Sequence, residues 1–272
     1  MKNALVAAVL LALLGCQKSG PSEPVKLKAP EPLPRLYPFL PPLEDGGVDE
    51  SREALYRVAP FKPWGPGIPG KAARAVLAET TLSLNNAKVD VEDRPALEQL
   101  LKGLGGQPVL IVAQGETWVT HLAPLLAALD DLGIETWLLH PEASFAYPVK
   151  LRDAAAFGAW LEEPVPGKVR VIQRADGFEL TTNLGKLLAA DPNGPSVPVR
   201  GGVQDLPTLQ KGLAAVKGRF KGAPDLCFMP SFGTSVADAV RAIAANWQGT
   251  DGPIFESLCF VYPRPVARDG GS

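Results

Sequence analysis

Few side chains of this chain could carry chemistry. The 272 residues include only two histidines, His121 and His140, and neither belongs to a metal-ligand pattern such as His-x-x-x-His. The sequence also lacks the Gly-x-Ser-x-Gly motif, the Walker A loop and the dinucleotide-binding fingerprint. It therefore predicts no enzyme activity, no metal and no cofactor.

Cys16 ends a segment with the features of an export signal. Lys2 precedes an apolar run from Ala4 to Leu14, which at roughly 11 residues is shorter than the ~20 that a membrane-spanning helix needs. The sequence Leu-Leu-Gly-Cys up to Cys16 resembles the lipobox of bacterial lipoproteins, in which the thiol receives diacylglycerol and the preceding signal is removed. The resemblance implies a signal peptide over residues 1–15 and lipidation of Cys16. The resemblance to bacterial lipoproteins also implies, through Gln17 in place of an Asp, sorting to the outer membrane with the protein facing the periplasm.

An ordinary signal peptide that happens to contain a Cys is the alternative.

The other two cysteines, Cys227 and Cys259, each lie in an apolar run that predicts a strand. An exported protein meets an oxidising compartment, and two strands of one sheet can bring Cα atoms within the roughly 4.4–6.8 Å that a disulfide requires. We therefore expect a disulfide between them. The alternative is two reduced cysteines buried in the core.

Proline is concentrated near the N-terminus. Residues 17–70 contain twelve of the 28 prolines, a density that removes backbone donors and favours extended chain over a packed core. We therefore predict a lipidated, Pro-rich, disordered tether over residues 16–70.

The charge balance excludes one class of partner. The chain has 27 Lys+Arg against 29 Asp+Glu, a formal charge of −2, with 46% hydrophobic residues. This composition is typical of a globular protein and lacks the basic excess that phosphate-backbone binding requires. We expect no nucleic-acid partner.

Residues 71–143 predict the element order ββαβαβ. Alternating apolar and polar residues on both sides of Asn85-Asn86 indicate a hairpin. Asp93 and Pro95 favour a helix start, followed by an apolar strand, a leucine-rich helix that ends at Gly133 and a last strand.

Residues 167–266 predict the same order after a connector over residues 144–166. In both stretches the first helix begins with the pattern Asp-x-Pro-x-Leu-x-x-x-Leu, at Asp93 and at Asp205. The recurrence indicates a duplication. The predicted fold class is α+β, with two tandem ββαβαβ domains, each a mixed sheet with two helices packed on one face.

This unit resembles the periplasmic domain of the ExbD/TolR family. The stretches closest to it are LSLNNAKVDVEDRPALEQLLKGL and PVLIVAQGETWVTHLAPLLAALDDLGIETWLL. The resemblance implies partner-peptide or peptidoglycan binding, and pairing of the two repeats with each other or as a homodimer. The family's motor function is not implied, because the apolar run from Ala4 to Leu14 contains no acidic residue for proton transfer.

The sequence therefore predicts a non-catalytic envelope lipoprotein that binds or scaffolds within an ExbD/TolR-type biopolymer transport system, with envelope proteins or peptidoglycan as partners and the membrane reached through the lipid anchor. One alternative is a peptidoglycan-anchoring structural lipoprotein. Another is a periplasmic hydrolase, which would need His121 or His140 gathered with a serine and a carboxylate.

Overall fold

The computed structural model describes residues 60–165, 167–187 and 191–263, and it confirms the α+β class. The predicted signal peptide, Cys16 and residues 17–59 of the predicted tether lie outside the described residues. The tether prediction is wrong for residues 60–70, because Phe61 and Trp64 pack against the core and the hydroxyl of Tyr147 donates to the carbonyl of Trp64 at 2.8 Å. Among the described helices, none is long and apolar enough to cross a bilayer.

Five strands and two helices form the first half of the described chain. They are β1 (Ala73–Ala78), β2 (Thr81–Leu84), β3 (Ala87–Asp90), α1 (Arg94–Lys102), β4 (Val109–Gln114), α2 (Val119–Asp131) and β5 (Thr136–Leu139). The β2–β3 hairpin turns at Asn85 and Asn86, with φ of 50° and 66°, in the left-handed region that Asn tolerates better than most residues. The predicted hairpin turn is therefore confirmed.

The predicted strand before that turn is wrong in one respect. The chain reverses at Glu79, where φ is 52°, so the stretch from Val76 to Leu84 forms two strands and the first half contains three strands before its first helix. No Gly or Asn marks this turn, and the alternation of apolar residues continues across it. The tight reversal lets β1 pair with β2 on one side and with β4 on the other.

The connector predicted over residues 144–166 contains regular structure. It forms β6 (Ala146–Arg152) and α3 (Ala154–Glu162), which begins at Asp153, whose carboxylate accepts a hydrogen bond from the N–H of Ala156 at 2.9 Å.

The second half continues from β7 to β12. Its elements are β7 (Val169–Arg174), β8 (Gly177–Thr182), β9 (Gly185–Lys186), β10 (Val197–Pro198), α4 (Leu206–Arg219), β11 (Asp225–Met229), α5 (Val236–Ala244), a 3₁₀ turn (Gly249–Asp251) and β12 (Ser257–Val261). The helices α1 and α4 begin in the same way. Asp93 accepts from the N–H of Ala96 at 3.2 Å, and Asp205 accepts from the N–H of Thr208 at 3.0 Å. Both predicted helix starts are confirmed.

The described strands form one mixed sheet in the order β10-β8-β7-β11-β12-β6-β5-β4-β1-β2-β3, with β9 paired to β8. Strand β1 pairs antiparallel with β2 and parallel with β4, which pairs parallel with β5. Strand β7 likewise pairs antiparallel with β8 and parallel with β11, which pairs parallel with β12. The two halves thus repeat the same pairing.

Strand β6 lies where the halves meet, and its pairing changes partner at Val149. Its first part pairs antiparallel with β5, with Pro148 opposite Trp137. Its last part pairs parallel with β12, with Lys150 opposite Cys259. The two halves are therefore arranged symmetrically about Val149.

The buried side chains of both halves form one continuous core. One row of register partners crosses the first half with at most 1% exposure: Ala75, Ile111, Leu138 and Tyr147. The corresponding row of the second half is Val171, Phe228, Phe260 and Leu151. Burial of each large apolar side chain contributes about 1.5–3 kcal/mol.

Two backbone hydrogen bonds join the helix starts of the two halves. The N–H of Val119 donates to the carbonyl of Thr234 at 3.0 Å, and the N–H of Val236 donates to the carbonyl of Thr117 at 2.8 Å. The exchange is reciprocal, and it fixes the start of α2 beside the start of α5.

Candidate functional site

The sheet face opposite the core differs between the two halves. Register partners on neighbouring strands lie on one face, so each half has a row that alternates with its core row. In the second half that row is Arg170, Cys227, Cys259 and Lys150. In the first half it is Arg74, Leu110, Trp137 and Pro148. We call these rows the second-half row and the first-half row.

Cys227 and Cys259 face each other directly on β11 and β12. Their Cα atoms are 4.5 Å apart, and the structure contains the disulfide expected between them. Both are almost fully buried, at 0% and 2% exposure. The guanidinium of Arg152 lies beside the bridge, with Nη1 3.1 Å from Sγ of Cys227 and 3.3 Å from Sγ of Cys259.

Helix α3 covers this disulfide. Trp160 is 3% exposed and forms a small hydrophobic cluster with the two cysteines, against which Phe157 also packs. Its indole Nε1 donates to Oδ2 of Asp225 at 3.0 Å.

Two cations lie over the Trp160 ring, Arg152 and Lys168, each 4.9 Å from its centre. Lys168, at 2% side-chain exposure, pairs with Glu163 at 3.0 Å just beyond the end of α3. The helix is thus held by an aromatic side chain that contacts two cations and by an acidic residue just past its C-terminal end.

The first-half row has no such helix over it among the described residues. Val76, Val112, Trp137 and Leu139 lie on the same face, are half-buried, and belong to neither hydrophobic cluster of the described chain. We call these four residues, together with the half-buried Pro148 and with Leu110, which is 4% exposed, the open face. The indole Nε1 of Trp137 donates to Oε1 of Glu135 at 3.0 Å.

Basic side chains lie around the edge of the open face. Arg74 on β1 and Lys88 on β3 are exposed, and neither makes an ion pair with the described residues. Lys88 lies opposite Ser83, which in turn lies opposite Val76. Apolar side chains with a basic rim therefore form a surface suited to an apolar and acidic partner.

The two histidines lie in separate settings, His140 directly after β5 and His121 in α2. His140 is 3% exposed, and its Nδ1 accepts a hydrogen bond from the N–H of Glu142 at 3.1 Å. Burial, more than the neighbouring charges of Glu142 and Arg241, lowers the pKa of His140 below its ordinary value. His121 lies in the first turn of α2, and its buried Nδ1 has no hydrogen-bond partner within the described part of the chain.

The serine-containing loop before α5 is a helix start. The hydroxyl of Ser235 accepts from the N–H of Asp238 at 3.0 Å, and Ser231 bonds to Thr234 at 2.8 Å. Neither histidine is hydrogen-bonded to a serine in residues 60–165, 167–187 or 191–263. The histidine, serine and carboxylate that a hydrolase would need are thus not joined by hydrogen bonds among the described residues.

Aromatic side chains are exposed near the joined helix starts. Trp118, 38% exposed, precedes α2 and bridges to Ser235, and Phe232, 70% exposed, packs against Tyr262 at a ring distance of 5.7 Å.

Sequence reasoning identified the disulfide but not its surroundings. Arg152 and Trp160 lie in the segment interpreted as a connector, so their contacts with the cysteines were not expected. The apolar helix over residues 154–162, which ends in Glu162-Glu163, was the available signal. The open face was missed because the residues that form it come from strands distant in sequence.

A cleft of about 590 Å³ lies beside Val149, where β5 and β12 begin. Its polar lining includes Glu135, Lys150 and Glu256. Within the described ranges, no three potential metal-ligating side chains gather into one group.

No model of a known protein family matches the chain, and no curated protein matches its sequence.

Proposed function

We propose that this chain is an outer-membrane lipoprotein, anchored through Cys16 and facing the periplasm, that serves as a non-catalytic binding or scaffolding component of an ExbD/TolR-type biopolymer transport system. The open face carries the proposal. A half-buried apolar surface with an exposed basic rim is the kind of feature that marks a protein-binding site.

The same proposal includes two tandem copies of one domain, over residues 71–143 and 167–266, that pair with each other as separate subunits pair in the ExbD/TolR family. Three observations support it. The strands of the two halves pair in the same pattern, α1 and α4 begin with the same Asp cap, and the two halves exchange backbone hydrogen bonds at the starts of α2 and α5.

Crosslinking in intact cells tests the function. A photoreactive residue placed at the exposed position Lys88 reports on the open face, and one at the exposed position Lys211 on α4 is the matched control. We expect specific crosslinks from Lys88 to an envelope protein, identified by mass spectrometry of the full chain with Cys16 intact. Recovery of neither envelope protein nor peptidoglycan from either position would overturn the proposal.

Two further measurements separate its parts. A Cys16→Ala variant should lose the acyl mass and leave the membrane fraction. Cosedimentation with purified sacculi distinguishes direct peptidoglycan binding from binding to a protein. Strong sedimentation without any protein crosslink would favour the peptidoglycan-anchoring alternative.

A further inference from the structure

The second half shows what the first-half row can accept. Both rows lie on the same face of the sheet and are related about Val149: Trp137 lies opposite Pro148, and Cys259 lies opposite Lys150. Trp137 and Cys259 are therefore equivalent, and so are Leu110 and Cys227, their register partners.

The second-half row is covered by α3, a nine-residue helix with an apolar surface. Phe157, Trp160 and Leu161 pack on or around the cysteines of this row. Glu163, just past the end of the helix, pairs with Lys168, whose ammonium also lies over the Trp160 ring. The contact thus combines an aromatic anchor with acid–base pairing.

The first-half row has the same strand order and the same position relative to Val149, but no described helix covers it. Trp137 and Pro148 are half-buried, Leu110 is buried at 4% exposure, and the exposed Arg74 and Lys88 make no ion pairs with the described residues. The first half thus has the sheet, the apolar side chains and two cations without an ion pair among the described residues. A helix with the chemistry of α3 is the component that the described residues do not supply.

We infer that the open face binds a short apolar helix of a partner protein, a helix with an aromatic anchor and acidic residues near its end. The aromatic ring packs across Val112 and Leu139 beside Trp137, and the acidic residues pair with Arg74 and Lys88. The inference rests on the binding role proposed above and specifies the class of partner for the same surface.

The chain itself supplies a probe. A fluorescein-labelled peptide of residues 153–163, with the sequence DAAAFGAWLEE, reproduces the chemistry of α3. We expect it to bind the full chain saturably, as measured by fluorescence anisotropy. A peptide with Trp160→Ala should bind at least tenfold more weakly, because the anchor of a small interface contributes most of its affinity. Absence of saturable binding by the unaltered peptide would overturn the inference.

Charge reversal locates the binding surface. Arg74→Glu with Lys88→Glu should weaken binding at least about fivefold, since both side chains are exposed and reversal replaces attraction with repulsion. A peptide with Glu162→Lys and Glu163→Lys should restore binding to this variant. Binding that is unchanged by the reversal would place the peptide elsewhere, including the seat of α3, and would refute the inference.

Two apolar variants provide an independent check. Val112→Asp or Leu139→Glu should abolish peptide binding while the circular dichroism spectrum stays that of the parent protein. If one variant fails to fold, the other supplies the result. If these variants instead dissociate a dimer of the parent protein and the peptide does not bind, the occupant is a second copy and the partner-helix inference is wrong.

The two proposals can fail separately. Peptide binding at the open face without envelope crosslinks in cells would leave the helix-docking inference standing and remove the proposed cellular function. Crosslinks at position 88 without peptide binding would support the proposed cellular function and remove the helix-docking inference.

Discussion

Breaking the disulfide between Cys227 and Cys259 should destabilise the protein by an amount that follows from its place in the chain. The two residues are 32 positions apart, and closing a loop of that size removes about 3–4 kcal/mol of conformational entropy, expressed as free energy, from the unfolded chain. The sheet already holds the two strands in register, so the native geometry changes little on reduction.

Urea unfolding at equilibrium, followed by circular dichroism, measures this difference. The oxidised and fully reduced parent proteins differ only in the bridge, so their free energies of unfolding should differ by about 3–4 kcal/mol. The double variant Cys227→Ala/Cys259→Ala should lie slightly below the reduced parent, because it also leaves a small cavity under Trp160, and it should not respond to reductant.

A difference below about 1 kcal/mol between oxidised and reduced parent protein would refute the entropic reasoning. So would a reductant effect of equal size in the double variant, because that protein has no bridge to break. Free thiols at both positions in the untreated protein, found by mass spectrometry, would show that the bridge does not form in the cell.

Three further changes test the fold locally. Asn86→Val should lower the free energy of unfolding in urea by about 1–2 kcal/mol because φ is 66° there, whereas Asn86→Gly should not destabilise the protein. Equal losses of stability in both variants would show that the turn does not constrain this residue. Trp160→Ala should lower the free energy of unfolding by about 3–5 kcal/mol. Trp160→Phe should lower it clearly less, since Phe loses the hydrogen bond to Asp225 but keeps most of the packing. Similar losses of stability in both variants would mean that burial of the ring is not the main contribution. Burial lowers the pKa of His140, so this imidazole binds a proton more readily in the unfolded chain, and the free energy of unfolding should fall as the pH drops below 6.5. The variant His140→Gln should flatten this pH dependence, and the control His121→Gln should not. An unchanged pH profile in His140→Gln would contradict the assignment.

Local features of the sequence predicted local structure well. Asn85-Asn86 turns between two strands, and Asp93 and Asp205 begin helices, because each outcome depends on the backbone preferences of a few adjacent residues. The turn at Glu79 escaped prediction since no turn-favouring residue marks it. It is imposed by the pairing of β1 with strands on both sides.

The candidate site was predictable only in part. The disulfide followed from two apolar strands in one half of the chain, since strands that pair in one sheet lie close enough for a bridge. The contacts of Arg152 and Trp160 with that bridge depend on the path of β6 and α3. A pattern of residue types along the chain does not predict where in the fold that path leads.

The sequence by itself determined the α+β class and the Asn and Asp positions that begin turns and helices. These depend on interactions between residues close in the chain. Only the tertiary structure decided that β6 changes partner at Val149, that α3 covers one row of the sheet face, and that no described helix covers the equivalent row. Those outcomes depend on which strands pair across a hundred residues, as Lys150 pairs with Cys259, where the free energy comes from side-chain packing between distant segments and not from local backbone preference.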